Sequence, residues 1–145
     1  MKHEDRVGKA GQELAAAALR RLGVEMVERV ATPAKYIPTK EPGVFRVIWE
    51  EPVSGDHRGI LPGGRSVLAE VKTILDRNLR WSDLRDHQPG ALSDHARWGG
   101  LSLLVWVHTT GVYIMDWTNL GGEFDRPGAG LKPEQAARLT LESAQ

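Results

Sequence analysis

Arg65-Ser66-Val67-Leu68-Ala69-Glu70-Val71-Lys72 is the stretch from which both the fold and the chemistry of this chain are read. It alternates, is partly β-branched, and is entered through Pro62-Gly63-Gly64, a turn signal, so a strand is expected. Successive side chains of a strand point to opposite faces. Leu68, Glu70 and Lys72 therefore share one face, and Val67, Ala69 and Val71 the other. A carboxylate and an ammonium stand side by side, their Cα atoms roughly 6–7 Å apart. Upstream lies Ser54-Gly55-Asp56-His57-Arg58-Gly59. With residues 55–61 as hairpin partner to residues 65–75, Asp56 comes close to Glu70. Two carboxylates and a lysine at one strand end suit a hard cation beside a place for a phosphate-sized anion. A lone Glu-x-Lys pair is common on exposed strands, so the weight falls on what surrounds it.

At 145 residues and 16.0 kDa the chain has the size of one domain that buries a core without staples. Its composition, 41% hydrophobic and 26% charged, is that of a soluble globular protein. The absence of cysteine excludes disulfides, thiolate metal sites and a thiol nucleophile. No apolar run reaches transmembrane length, and Met1-Lys2-His3-Glu4-Asp5 does not open a signal peptide. A cytoplasmic location with no membrane partner is expected.

Nineteen basic residues balance nineteen acidic ones, which argues against nucleic-acid binding by bulk charge and leaves local distribution to decide. Residues 29–46 carry Arg29, Lys35, Lys40 and Arg46 against Glu41 alone, whereas the stretch from Asp116 onward is acidic. Arginines outnumber lysines 13 to 6, and their planar forks suit phosphate.

Around the central strand the pattern is helix, strands, helix, strands, helix. Residues 4–22 read as an amphipathic helix through Leu14, Ala17 and Ala18, closed by Gly23. Gly8 and Gly11 weaken its first turns or mark a close approach. Glu13 reads there as a solvated helix face. Residues 24–31 and 44–49 alternate as strands. Between them Pro33, Pro38 and Pro42 forbid a central strand or helix, leaving an extended projecting or edge segment with Lys35, Tyr36 and Lys40. Bases with an aromatic suit contact with a nucleic-acid backbone, and equally an ordinary solvated loop. Residues 76–81 connect, carrying Arg77 and Arg80. Residues 82–98 have helical tendency, interrupted at Pro89-Gly90. Ser82 is expected to cap a first turn and Pro89 to open a second piece ending at Arg97, which puts Gln88 at a helix start. His87 and His95 are eight apart rather than the four of a helical zinc pair. Residues 101–108 are almost continuously apolar, as in a buried strand. Thr109-Thr110-Gly111 turns the chain into an antiparallel partner over 112–117. A Gly-rich loop over 119–130 and a terminal helix over 133–144 complete an α/β or α+β domain with a mixed sheet.

Taken in order, Gly55-Asp56-x-x-Gly59, a Gly turn, Glu70-Val71-Lys72-Thr73, His87-Gln88, and Gly99-Gly100 before an apolar strand resemble the PD-(D/E)xK nuclease superfamily. Asp56 and Glu70 are fourteen residues apart, and Thr32-Pro33-x-x-x-Ile37 is similar to a Thr-Pro segment before a projecting stalk. Within the superfamily the chain is therefore most similar to the RecU-type Holliday junction resolvases, over roughly residues 8–117. The resemblance implies a restriction-endonuclease-like mixed sheet flanked by helices, one nuclease domain over residues 1–145 with a stalk-like segment over 32–54, and a C-terminal loop and short helix over 118–145. It implies a metal-dependent endodeoxyribonuclease that resolves four-way DNA junctions by paired symmetric nicks in recombination or repair, acting as a homodimer without a small-molecule cofactor. Asp56, Glu70, the Val71 backbone carbonyl and Glu13 would hold Mg²⁺, with Mn²⁺ as substitute. Lys72 would orient the attacking water or stabilise charge on the phosphate, kept charged by its carboxylate neighbours, and Gln88 would stand near metal and water. Lys35, Tyr36, Lys40, Arg46, Arg58, Arg77 and Arg80 would contact DNA. The chain departs from the family in lacking a basic N-terminal extension, in its shorter stalk, and in Pro89 after the His-Gln pair. The competing readings are a restriction-type or general structure-specific nuclease of the same superfamily, and a catalytically silent DNA-binding module. A small-molecule enzyme ranks last, because no phosphate-cradling Gly loop and no nucleophile elbow is present.

Overall fold

The computed structural model describes residues 3–30, 34–49 and 56–141. Along these the chain forms α1 (His3–Leu22), β1 (Glu25–Arg29), β2 (Ala34–Pro38), β3 (Phe45–Trp49), β4 (His57–Ile60), β5 (Ser66–Thr73), β6 (Leu79–Arg80), α2 (His87–Arg97), β7 (Leu101–His108), β8 (Gly111–Asp116), β9 (Gly130–Leu131) and α3 (Pro133–Leu139), with single 3₁₀ turns at Trp81–Asp83, Trp117–Asn119 and Gly121–Glu123. Five strands make one mixed sheet in the order β1-β4-β5-β7-β8. β5 and β7 run parallel and every other neighbouring pair antiparallel. β5 and β7 thus occupy the interior of the sheet, where the near-continuous apolar run of β7 belongs.

The alternation in β5 divides the core into two layers. Val67, Ala69 and Val71 pack with Leu103, Val105 and Val107 of β7 beneath Ala15, Ala18 and Leu19 of α1. Gly11 is the point of closest approach: a Cβ there would run into the Thr73 side chain, so a side chain at this position would push the helix off the sheet. On the opposite face Leu104, Trp106 and Met115 join Leu79, Leu84, Leu120, Phe124, Leu131 and Ala136 in a second cluster. Trp106, fully buried, donates its Nε1–H to the Ile74 carbonyl at 2.9 Å, so the largest core side chain leaves no polar atom stranded.

α2 lies on this second face, held by a short chain of polar contacts. Ser102 Oγ donates its proton to the Leu92 carbonyl at 2.6 Å and so must accept from His95 Nδ1 at 3.0 Å. That fixes the His95 tautomer and leaves Nε2 to accept from Ser66 Oγ at 3.0 Å. The imidazole lies against Gly100, where a Cβ would collide with the ring.

Several expectations need adjustment. α2 is one helix from His87, two residues earlier than Pro89, which sits in the first turn where no N–H is required. Ser82 lies within a 3₁₀ turn whose cap is Arg80. α3 ends at Leu139, because Thr140 leaves the helix to bridge Met115, and its hydroxyl accepts from the Ile114 N–H at 2.8 Å. The connection over 76–81 contains β6, which pairs with β9 about fifty residues later. The proline-bearing segment is a two-stranded ribbon, β2 against β3, which pairs with no other strand among the described residues. Thr32 and Pro33 of the Thr-Pro segment, and residues 50–55, lie outside the described residues.

Candidate active site

The site forms where, among the described residues, the β4–β5 ladder stops. Its last regular pair is His57 with Ala69. One residue further, the Asp56 N–H still donates to the Ala69 carbonyl at 2.9 Å, but the next N–H of β5, that of Val71, is taken by Asp56 Oδ2 at 2.8 Å. A side-chain carboxylate thus replaces a backbone carbonyl and is stapled to the strand that carries Glu70. The Val71 carbonyl lies on the same edge of β5 as this N–H, since a strand residue presents N–H and C=O to the same side.

Glu70 is only 2% exposed, which no solvated surface glutamate would be, and a carboxylate at that depth needs partners. The Gln88 Nε2–H donates to Glu70 Oε1 at 2.5 Å, and Lys72 Nζ stands 3.9 Å from the same oxygen. The Gln88 amide cannot turn round, because its own Oε1 accepts from the Arg85 N–H at 2.8 Å. Position in the first turn of α2 therefore sets the Glu70 carboxylate. Arg85 is the contributor that the sequence did not single out; its role runs through its backbone, and no side-chain pattern signals it.

Lys72 is held below the ordinary lysine pKa of 10.5. Burial is the larger cause; Glu70 and Asp56 pull the other way, and the nearby Arg85 adds to the fall. The carboxylates expected to hold the ammonium charged thus only partly offset its desolvation.

Asp56, Glu70, Lys72 and Gln88 lie together at this strand end. Glu13 is not among them: it is exposed on α1 and lines a cleft of about 270 Å³ with Lys9, Gln12, Arg20, Arg29 and His57, on the sheet face opposite Glu70. His57, 4% exposed, has no partner at Nδ1 among the described residues, and burial holds it below the ordinary histidine pKa. Among the described residues no three Asp, Glu, His or Cys groups converge. Asp56, Glu70 and the Val71 carbonyl supply oxygen donors only, which fits a small hard cation that keeps several waters and does not fit a metal that seeks imidazole or thiolate.

The candidate DNA contacts divide. Tyr36, Lys40 and Arg46 are exposed on the β2–β3 ribbon; the Lys35 side chain lies outside the described residues. Arg58 is exposed on β4, and Arg80 is exposed beside the turn that follows β6. Arg77 differs: its fork grips Asp83 through two bonds of 2.9 and 2.7 Å, which raises the arginine pKa and lowers that of Asp83. This arginine braces the entry to α2.

Among solved structures the chain is similar to Hjc, a Holliday junction resolvase from the archaeal hyperthermophile Archaeoglobus fulgidus, with a TM-score of 0.58 and 16% identity over 92% of this chain and 94% of that one. At this identity the likeness establishes the fold, a restriction-endonuclease-like mixed sheet flanked by helices. No family model and no curated protein matches the sequence.

Proposed function

We propose that this protein is a metal-dependent, structure-specific endodeoxyribonuclease acting on four-way DNA junctions. The observation that carries the reading is the buried Glu70, bonded to Gln88 and flanked by Lys72, beside an Asp56 whose carboxylate interrupts the β4–β5 ladder. Neither placement is one that the sheet itself requires. A ladder would be completed by a backbone carbonyl, and a core position by an apolar side chain.

Asp56 and Glu70, with the Val71 carbonyl, would hold Mg²⁺; Mn²⁺ offers the same preference for oxygen. Such an ion neutralises a phosphodiester and acidifies a bound water. The chain's own residues do the positioning. Gln88 fixes the Glu70 carboxylate and Arg85 fixes Gln88, so one donor geometry is prepared before substrate arrives. Lys72 projects from the same strand face as Glu70, where an ammonium stabilises charge gathering on the phosphoryl oxygens. Glu13, exposed on α1 in the cleft with His57, is left out of the set proposed here.

The narrower kinship with RecU-type resolvases rests on the motif order and on the exposed ribbon. Lys40, Arg46 and Tyr36 would meet the branched substrate there, while Arg58 and Arg80 contact flanking phosphates. Two strands must be cut, so a homodimer with two such sites follows from the symmetry of the substrate. The test is cleavage and binding of a labelled four-way junction by Asp56→Ala and Glu70→Ala proteins. Each is expected to bind the junction and leave it intact. Mg²⁺-dependent cutting by purified Glu70→Ala protein would refute the assignment.

A further inference from the structure

We propose that an aromatic cleft beside α2 receives one unstacked nucleobase of the DNA. The inference rests on the nuclease reading and adds to it a contact to a base, where the groups above touch only phosphate. The cleft has a volume of about 480 Å³ and is walled by Trp81, Trp117 and Phe124 on one side and by Pro89, Ser93 and Arg97 of α2 on the other. Sites for small organic groups fall in this size range, and one base with its sugar fits.

The walls are built for a flat apolar group. Trp81 and Trp117 stack at 6.1 Å with 30° between planes, and Phe124 leans on Trp81 at 5.5 Å. The rings are fixed before any ligand arrives. Phe124 is 1% exposed, Trp117 Nε1–H donates to Ser93 Oγ at 2.9 Å, and the Trp81 ring lies against both other rings while its backbone N–H donates to the Ala129 carbonyl at 2.9 Å. Ser93, accepting there, keeps its own proton to donate to the edge of a base. Arg97 on the rim pairs with Asp94 while remaining largely exposed, and a guanidinium at that place suits either a base edge or the adjoining phosphate.

Location selects the ligand. Pro89 is part of the wall, and the residue before it, Gln88, is bonded to Glu70. The cleft therefore opens one residue from the group that sets the catalytic carboxylate. At a branch point a base has one stacking neighbour fewer and leaves the helix at reduced cost. An aromatic face accepts any of the four bases, so the contact reads the branch and not its sequence.

The experiment places 5-iodouracil at each position flanking the branch of a four-way junction, binds the protein in Ca²⁺, irradiates, and maps the cross-linked residue by mass spectrometry. Fluorescence polarisation reports binding in the same samples. The expected adduct is on Trp81, Trp117 or Phe124 from one junction position, and is absent from duplex of the same sequence. Gly121→Leu fills the cleft from a position where an added Cβ meets nothing within 4 Å. Ser93→Leu fills it from the α2 side. Each is expected to remove the adduct and weaken junction binding by about tenfold, and Gly121→Leu, which breaks no bond, to do so while retaining the melting curve. Adducts confined to residues outside the cleft, with normal binding, overturn the proposal, as does an adduct that survives both fillings. If the filling variants instead dissolve a dimer seen by light scattering and leave the adduct untouched, the cleft belongs to a second copy, whose Trp98 is 83% exposed at the end of α2. If polarisation shows no binding to any DNA, the nuclease reading itself fails, and the base ligand with it.

Discussion

Replacing Gln88 by leucine tests whether α2 sets the Glu70 carboxylate or merely packs against it. Leucine nearly keeps the volume and removes the donor to Glu70 Oε1 and the acceptor for the Arg85 N–H. Arg85 is exposed, so water can satisfy its N–H; Glu70, at 2% exposure, is shielded from water. The loss that matters is one hydrogen bond to a buried charge, worth about 1.5–3 kcal/mol. For a chain of this length that lowers the melting temperature by roughly 5–10 °C. The effect on the reaction is separate. A group that orients a metal-binding carboxylate changes metal affinity or rate by about 10–100-fold when removed. The assay is a Mg²⁺ titration of junction cleavage well below the variant's melting temperature. The Mg²⁺ needed for half-maximal rate is expected to rise about tenfold or more. A variant that melts earlier but keeps the wild-type Mg²⁺ dependence would show that Gln88 serves packing alone.

Gly11→Ala places a methyl group against Thr73 and is expected to cost about 1–3 kcal/mol in urea unfolding at unchanged slope; adding Thr73→Ala should restore part of it, and no loss would mean the helix shifts freely. Stability should fall as pH drops below about 6.5, because burial, with Arg58 and Arg65 nearby, holds His95 below that ordinary value. The unfolded chain then binds the proton that the folded one refuses, so the contribution is complete above the unfolded pKa and is lost toward acid. His95→Gln should shallow this dependence in urea midpoints measured across the range, and an unchanged dependence would place the acid sensitivity elsewhere. Lys40→Ala with Arg46→Ala should weaken junction binding and reduce the salt slope by about one for each phosphate no longer neutralised; an unchanged slope would move the DNA interface off the ribbon.

What the sequence revealed was whatever a local period could carry. The alternation of Val67 through Lys72 assigned β5, its two faces and the neighbourhood of Glu70 and Lys72, and both core layers follow that division. Of the two glycines read as weakening the first turns or marking a close approach, Gly11 makes such an approach, to Thr73, and Gly8 does not. Three prolines announced a segment outside the main sheet, where the β2–β3 ribbon stands. Contacts between distant short pieces stayed hidden. β6 and β9 are two residues each, too short for any period to register, and they meet only because Leu79 and Leu131 are buried in the same cluster. Trp81 and Trp117 are far apart in the chain, so their stack was equally illegible. Pro89 was read as the start of a helix because its ring forbids an interior position. The start lies two residues earlier, since the whole first turn tolerates a missing N–H. Glu13 could be assigned to the metal by motif order alone; the register of α1 on the sheet carries it to the other face, with His57.

The most direct test of the central claim is cleavage of a labelled four-way junction beside linear duplex of the same sequence, each in Mg²⁺ and in Ca²⁺. Paired symmetric nicks in the junction with Mg²⁺ alone, and an uncut duplex, are the result predicted from Asp56, Glu70 and Lys72 at the open edge of β5. Junction binding without cutting in either metal would contradict it, leaving a protein that keeps the fold and the buried carboxylate but no nuclease.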